Sequence, residues 1–320
     1  MKILVTGVGA IIGYGVLRSL RNADYRLVGM DIYPDAFGRH ACDEFIHAIA
    51  TNDPDYPVFL EEVLKTQRPD LVIPCIEQDV VRYNTLRELF AAYGASCCLN
   101  RNELIRLCAD KWHFHQAAVA NGLDSIETSL SNDFEELKGK FGLPFLLKPR
   151  SSYASKGIVE IKTADVFAFH RSRIGEHFMV QKIVGRAEEE YTVGIFGDGN
   201  GQFTTQIQLR RTLSAEGATQ KAWVVNDETL TKRVRAYCAS FEPLGPTNLQ
   251  FRRDESRWHL LEINPRISSS TSIRAAFGYN DALQAVEYYV RRTLPDQPSI
   301  RGGHAVRYIE DYVQFDRTDF

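Results

Sequence analysis

The stretch HLLEINPR, residues 259–266, sets a carboxylate and an amide two positions apart at Glu262 and Asn264. On an extended strand, positions i and i+2 share a face, so both oxygens can reach the same ion or pair of ions. Magnesium suits such a pair, because it wants oxygen ligands, takes few of them from protein and fills its shell with water and phosphate oxygens. Gln250, on a second strand in TNLQF, can add a third oxygen. An exposed polar strand face ending at Pro265 accounts for the same letters, so the surroundings must decide.

Lys148 ends the apolar run of FLLKPR, where a buried ammonium is costly unless it meets an anion. The loop SSYASKG at 151–157 follows, and its small residues expose several backbone N–H groups. Together they make a clamp for phosphates; a lysine that snorkels to solvent is the plain alternative. Further on, VQKIVGRAEEEYTVGIF places Gly185 after an apolar strand and Glu188 three residues beyond it. Arg210 and Arg211 in QLRRTLSAEG are further phosphate candidates, or members of a solvated strand.

Near the start, TGVGAIIGYG follows the apolar run Ile3–Val5, with glycines at 7, 9 and 13 and Asp31 closing a second apolar run. A dinucleotide-binding turn begins this way. The spacing G-x-G-x-x-x-G also suits any strand-to-helix turn whose backbone must pack closely.

These residues need elements to hold them. From 1 to about 100 the pattern alternates strands at 2–6, 26–31, 70–75 and 96–99 with helices at 13–21, 57–67 and 79–93, which predicts a parallel sheet with right-handed crossovers. RPDLVIPCIEQD puts Glu77 and Asp79 at the carboxyl edge of its third strand, where open parallel sheets bind ligands; an acidic helix start explains them equally. Two helical pieces follow in 100–122, with Asn100 or Asn102 as cap and Gly122 as the stop. A small α+β unit is expected from strands at 145–150, 157–162 and 178–184 with a helix near 164–174. Longer strands at 190–197, 202–209, 221–225, 246–252 and 257–263, flanked by helices near 226–241 and 280–293, predict an antiparallel sheet.

With 320 residues, the chain has room for two or three packed units, and 44% hydrophobic with 25% charged residues is the mix of a soluble globular protein. A net charge of −3 speaks against a nucleic-acid or membrane-surface protein, and no apolar run approaches a membrane span. The run ILV at the N-terminus is too short for a signal-peptide core, so a cytoplasmic protein is expected. The cysteines at 42, 75, 97, 98, 108 and 238 form no C-x-x-C pair and read as buried free thiols. His113 and His115 fall on different faces of a predicted helix and read as structural.

The ordered set Lys111 in ADK, Lys148 in KP, the small-residue loop, Q-x-x-x-G-x-x-E from Gln181 to Glu188, Gln250 and E-x-N-P-R resembles the ATP-grasp superfamily. It is most similar to the branch with the synthetase domains of the carbamoyl-phosphate synthetase large subunit and related carboxylate–amine ligases. The resemblance covers nearly the whole chain, and LLEINPRISSS is its most specific segment.

It implies a mixed α/β and α+β architecture: a Rossmann-like domain at 1–100, then an ATP-grasp domain at 101–320 with a lid at about 124–180 and a C-terminal subdomain at about 181–320. By the same resemblance, Lys111 and Lys148 contact ATP phosphates, and the loop with Ser155, Lys156 and Gly157 closes over them. Gln181, Lys182 and Ile183 line the adenine, Glu188 takes the ribose hydroxyls and Arg211 adds a phosphate contact. Gln250, Glu262 and Asn264 hold two magnesium ions, with Mn2+ as a substitute, and Arg266 with Lys148 acts on the transferred phosphoryl group.

The implied reaction joins a small carboxylate and an amine into an amide through an acyl phosphate, releasing ADP and phosphate; a homodimer is the expected assembly, and the charge and hydropathy above leave no nucleic-acid or membrane partner. Two features depart from the pattern: loop 151–157 has glycine only at 157, and Gln250 stands where many relatives have an acid. A non-catalytic ATP-binding regulatory module is the alternative. A nicotinamide-dependent oxidoreductase fits less well, since Tyr153 and Lys156 are three apart in a loop rather than four apart on a helix, and no G-x-S-x-G elbow supports a serine hydrolase.

Overall fold

The computed structural model describes residues 1–151, 157–215, 217–255, 257–308 and 311–313. Its first layer is a parallel sheet of β1 (Lys2–Thr6), β2 (Arg26–Asp31), β3 (Glu44–His47), β4 (Leu71–Ile73) and β5 (Ser96–Cys97), in the order β3-β2-β1-β4-β5. Ile3, Leu4 and Val5 are all 0% exposed, because helices cover both faces of β1. Those helices are α1 (Ile11–Leu20), α2 (Tyr56–Gln67), α3 (Glu77–Thr85) and α4 (Arg87–Ala92). The helix expected at 79–93 is thus two helices meeting at Leu86, and β3 was not foreseen because EFIH is short and half-exposed.

Two helices lead out of this layer: α5 (Asn102–Cys108) and α6 (Lys111–Ala120). Neither asparagine caps α5. Asn100 instead donates to Thr247 Oγ1 at 2.7 Å and accepts from Leu244 N–H at 2.8 Å, tying the sheet edge to a strand far along the chain. Asp110 caps α6, accepting from the N–H groups of Trp112 and His113 at 2.8 and 3.3 Å, and Gly122 (φ +66°) follows its end.

A four-stranded sheet comes next, from β6 (Thr128–Ser129), α7 (Phe134–Phe141), β7 (Phe145–Pro149), β8 (Val159–Ile161), α8 (Ala164–His170) and β9 (Phe178–Gln181), in the order β6-β9-β7-β8. Leu137, Phe145, Leu147, Phe167 and Val180 close its small core.

The last layer is a six-stranded antiparallel sheet of β10 (Glu190–Asp198), β11 (Phe203–Leu213), β12 (Thr219–Val225), β13 (Leu244–Arg253), β14 (Trp258–Asn264) and β15 (His304–Val306), in the order β14-β13-β10-β11-β12-β15. Helix α9 (Glu228–Phe241) covers one face with Leu230, Val234 and Tyr237. After β14 come α10 (Thr271–Ala276) and α11 (Asp281–Tyr289), and Ala282, Ala285 and Val286 of α11 share one core with Val16, Leu17 and Leu20 of α1.

The glycine turn after β1 is closed by the protein itself. Asp31 accepts from Gly9 N–H at 2.7 Å and from Tyr33 N–H at 3.0 Å, so the acid that a nucleotide ribose would need holds the turn instead. A Cβ at Gly13 would run into the Gly7 carbonyl, so this glycine serves helix-to-strand packing. Gly13→Ala is expected to destabilise the fold by roughly 3 kcal/mol, as overpacking against rigid backbone does. Urea unfolding measures it, and an unchanged midpoint would show that the backbone gives way there.

Candidate active site

Strand register gathers the chemistry on one face of the antiparallel sheet. Gln250 lies opposite both Glu262 and Thr192, Asn248 opposite Asn264, and Glu190 opposite both Arg211 and Arg252. Directly opposed residues share a face, so Glu190, Arg211, Gln250, Arg252, Glu262 and Asn264 form one polar surface. A register shift between Gln250 and Phe251 leaves Leu261 as the extra residue of β14. Such a bulge redirects the backbone, and the Leu261 carbonyl accepts from Lys148 Nζ at 3.3 Å.

Lys148 arrives from β7, where its residue is only 8% exposed. Its other acceptor is Gln181 Oε1, at 3.4 Å, and among the described residues no carboxylate pairs with it. Burial lowers its pKa from the ordinary 10.5 to about 8, against the pull of Glu262 and with a push from Lys111. Gln181 in turn donates to Thr128 Oγ1 at 3.1 Å, so its side chain bridges Lys148 to β6.

Lys111 is placed by a rivet between α6 and β7. The Arg150 guanidinium reaches Asp110 at 2.7 Å, and the Arg150 carbonyl accepts from Lys111 N–H at 2.9 Å. Glu262 accepts from Asn264 Nδ2 at 2.9 Å. Burial alone would raise the Glu262 pKa, but Lys148, Lys111, the Asn264 amide and Arg266 outweigh it and hold the carboxyl below its usual range. The glutamate is therefore ionised at neutral pH and available to a cation.

Arg266 is engaged on three sides. It donates to Glu77 Oε2 at 3.0 Å, to the Ile267 carbonyl at 3.0 Å and to Asn264 Oδ1 at 3.2 Å. Glu77 opens α3 as part of its acidic first turn and pairs with Arg266. Asp79 goes elsewhere. It is 4% exposed, accepts from the Thr6 and Thr51 hydroxyls, and lines a cavity of about 290 Å³ with Asp31. Burial raises its pKa; the two hydroxyls oppose that rise and the Asp31 charge adds to it.

A second cleft, of about 660 Å³, opens beside Glu77 and is lined by Thr51, Asn52, Gln78, Arg82 and Ser151. It shares Glu77 and Cys108 with the pocket that holds Lys111, Gln181, Glu262 and Asn264.

Seen against known proteins, residues 176–312 match a family described as ATP-grasp in the biosynthetic pathway with Ter operon. The carbamoyl phosphate synthase large chain of Thermotoga neapolitana is 24% identical over 98% of this chain, which spans 31% of that protein. The formate-dependent phosphoribosylglycinamide formyltransferase of Burkholderia cenocepacia is 29% identical over 52% of this chain and 40% of its own length. N5-carboxyaminoimidazole synthetase from Staphylococcus aureus, solved with ADP, superposes with a TM-score of 0.72 at 18% identity, covering 93% of this chain and 79% of that one. Biotin carboxylase from Campylobacter jejuni gives 0.75 at 14% identity, covering 95% and 74%.

The chain has an ATP-grasp superfamily fold. The likenesses spread over a synthase, a formyltransferase, a synthetase and a carboxylase, so they do not single out the carbamoyl-phosphate synthetase branch. Within this fold, Lys182, Ile183, Glu188 and the 155–157 loop complete the expected set. Lys182 donates its N–H to the Glu127 carbonyl at 3.0 Å and pairs its ammonium with the Glu127 carboxylate at 2.7 Å. Ile183 follows it, half-buried, and Glu188 is exposed in a short turn leading into β10. Ser155 and Lys156 lie outside the described residues, and Gly157 stands exposed just after them with φ +77°.

Glu190 and Arg252 belong to the site and were missed. Glu190 is 3% exposed and binds Arg211 Nη2 at 2.9 Å and Arg252 Nε at 3.1 Å. The available signal was period-2 spacing, which puts Glu190 on the same face as Thr192, but EEE reads as a solvated run. No helix among the described residues is long and apolar enough to cross a membrane.

The donor set fits a hard cation. Glu262 is ionised, and the side-chain amides of Asn264, which donates to it, and of Gln250, directly opposite on β13, lie beside it. Nucleotide phosphates and water would complete the shell, and no group of three or more His, Cys, Asp and Glu among the described residues competes for the ion.

Proposed function

We propose that this chain is an ATP-dependent ligase that activates a small carboxylate as an acyl phosphate and joins it to an amine, releasing ADP and phosphate. The observation that carries the reading is Lys148: a buried ammonium with two long hydrogen bonds, beside Lys111 and an ionised Glu262. A folded chain retains such a group where an anion arrives to meet it. The triphosphate of ATP supplies that anion, with Lys111 and Lys148 on its oxygens, Ile183 at the adenine and Glu188 at the ribose. The four-stranded sheet acts as the lid over it.

Glu262, with the Asn264 and Gln250 amides beside it, would hold magnesium, whose charge would neutralise phosphate oxygens. The substrate carboxylate lies in the cleft beside Glu77, where Arg82, whose buried Nε lacks a hydrogen-bond partner among the described residues, offers it a cation. One carboxylate oxygen attacks the γ-phosphorus of ATP, the bond to the β-phosphate oxygen breaks and ADP departs. Lys148 follows the transferred charge, and Arg266, held in place by Glu77, meets the acyl phosphate. The amine then attacks the acyl carbon, phosphate leaves, and the nitrogen loses a proton as the amide forms.

The test uses the protein with ATP, Mg2+, a pool of small carboxylates and hydroxylamine as the trapping amine. A hydroxamate together with ADP is expected. AMP and pyrophosphate would mean an adenylate and overturn the acyl phosphate; nucleotide binding without turnover on any carboxylate would favour the regulatory module.

A further inference from the structure

The polar face of the antiparallel sheet is poor in negative charge for a site that handles divalent cations. Glu262 is its one carboxylate without an arginine partner among the described residues, whereas Glu190 is shared between Arg211 and Arg252. Glu190, Arg211 and Arg252 together therefore carry one net positive charge, and they stand against Gln250.

Resting on the ATP reading, we propose that the site takes a single divalent cation, at Glu262, and that the Arg211 guanidinium supplies the charge a second one would bring.

The geometry at Gln250 carries the argument. Its Oε1, the atom a metal would use, already accepts from Arg211 Nη2 at 2.8 Å. A cation on the same oxygen would lie within a few ångströms of a permanent positive charge in a poorly solvated place, where repulsion is strong. Arg211 has nowhere to withdraw. Its side chain is 4% exposed, Nη2 also binds Glu190 at 2.9 Å, and Nη1 donates to Thr219 Oγ1 at 3.2 Å. Thr219 is itself fixed against Ser270 Oγ at 3.0 Å. Glutamine at 250 completes the pattern, because a neutral amide can receive the guanidinium without being locked into an ion pair. Arg211 Nε is buried with no hydrogen-bond partner among the described residues, which leaves a donor for an incoming acceptor such as a phosphate oxygen.

Two metals a few ångströms apart clamp a transferring phosphoryl group symmetrically. Here one side of that clamp would be a guanidinium, which is planar and well matched to phosphate.

The experiment counts Mn2+. The purified protein is saturated with Mn2+ and a non-hydrolysable ATP analogue by equilibrium dialysis, and bound metal and nucleotide are measured while the spectrum is recorded by electron paramagnetic resonance. One Mn2+ per bound nucleotide, with an uncoupled spectrum, is expected. Two per nucleotide, with the spectrum of a coupled pair, would overturn the inference and leave the ATP reading standing. The double variant Arg211→Gln with Gln250→Glu restores an acid and removes the cation, and it is expected to bind two coupled ions. A folded double variant that still binds one would show that Arg211 is not what excludes the second. Should the variant not fold, the wild-type count decides alone. Absence of nucleotide from the dialysed wild-type protein would overturn the ATP reading and this inference with it.

Discussion

Glu262→Gln is expected to cut ATP turnover by roughly two to three orders of magnitude, the scale seen when a main electrostatic element of a phosphoryl- or acyl-transfer site is removed. The substitution is nearly isosteric and keeps an oxygen to accept from Asn264 Nδ2, a bond now 2.9 Å long, so the strand pairing should persist. What disappears is a carboxylate that faces Lys148, Lys111 and Arg266 together. Magnesium would then rest on neutral amides amid positive charge, and its affinity falls. The deficit should shrink as Mg2+ is raised, with a higher half-saturating concentration. ADP release measured across a Mg2+ titration checks this, and wild-type turnover at low Mg2+ would remove Glu262 from the metal site.

The parts legible in the sequence are those whose physics is local. Ile3–Val5 reads as a strand because both faces are buried and every residue is apolar. Glu262 and Asn264 read as a pair because a strand repeats every two residues, and their shared face follows from that alone. Lys148 was conspicuous as a charge ending an apolar run. What stayed hidden depends on distant partners. Glu190 binds arginines 21 and 62 positions away, and Glu77 meets Arg266 across 189 positions, separations that carry no periodic signal. The Gln181 side chain bridges Lys148 and Thr128, a link that follows only once β6 is known to pair with β9. The partner of the Gly9 amide, Asp31, lies 22 positions away and is likewise invisible to periodicity.

Lys148→Met is expected to raise the stability of the nucleotide-free protein while lowering its affinity for ATP–Mg2+ by at least about a hundredfold, as loss of a buried charge-assisted contact does. The two effects share a cause. A pKa held at about 8 instead of 10.5 means that burying the charged ammonium costs roughly 3 kcal/mol at neutral pH. The sign follows from proton counts: between about pH 8 and 10.5 the unfolded chain holds a proton on this lysine that the folded chain has released. Stability from this group therefore rises with pH across that window, and the penalty is present in full below pH 8. Methionine is close in volume and carries no charge, so it removes the penalty at every pH. Bound phosphates reverse the balance, because they favour the protonated amine. Wild-type affinity should accordingly weaken above about pH 8, by up to about tenfold per pH unit, with proton uptake on binding. The variant should show neither that weakening nor the uptake. Thermal melts without nucleotide and calorimetric titrations with a non-hydrolysable ATP analogue in buffers of different ionisation enthalpy measure both halves. A variant that melts lower and binds nucleotide as before would mean that Lys148 holds β7 against β14 for the fold alone, because only a group kept ready for an anion is costly when empty and valuable when filled.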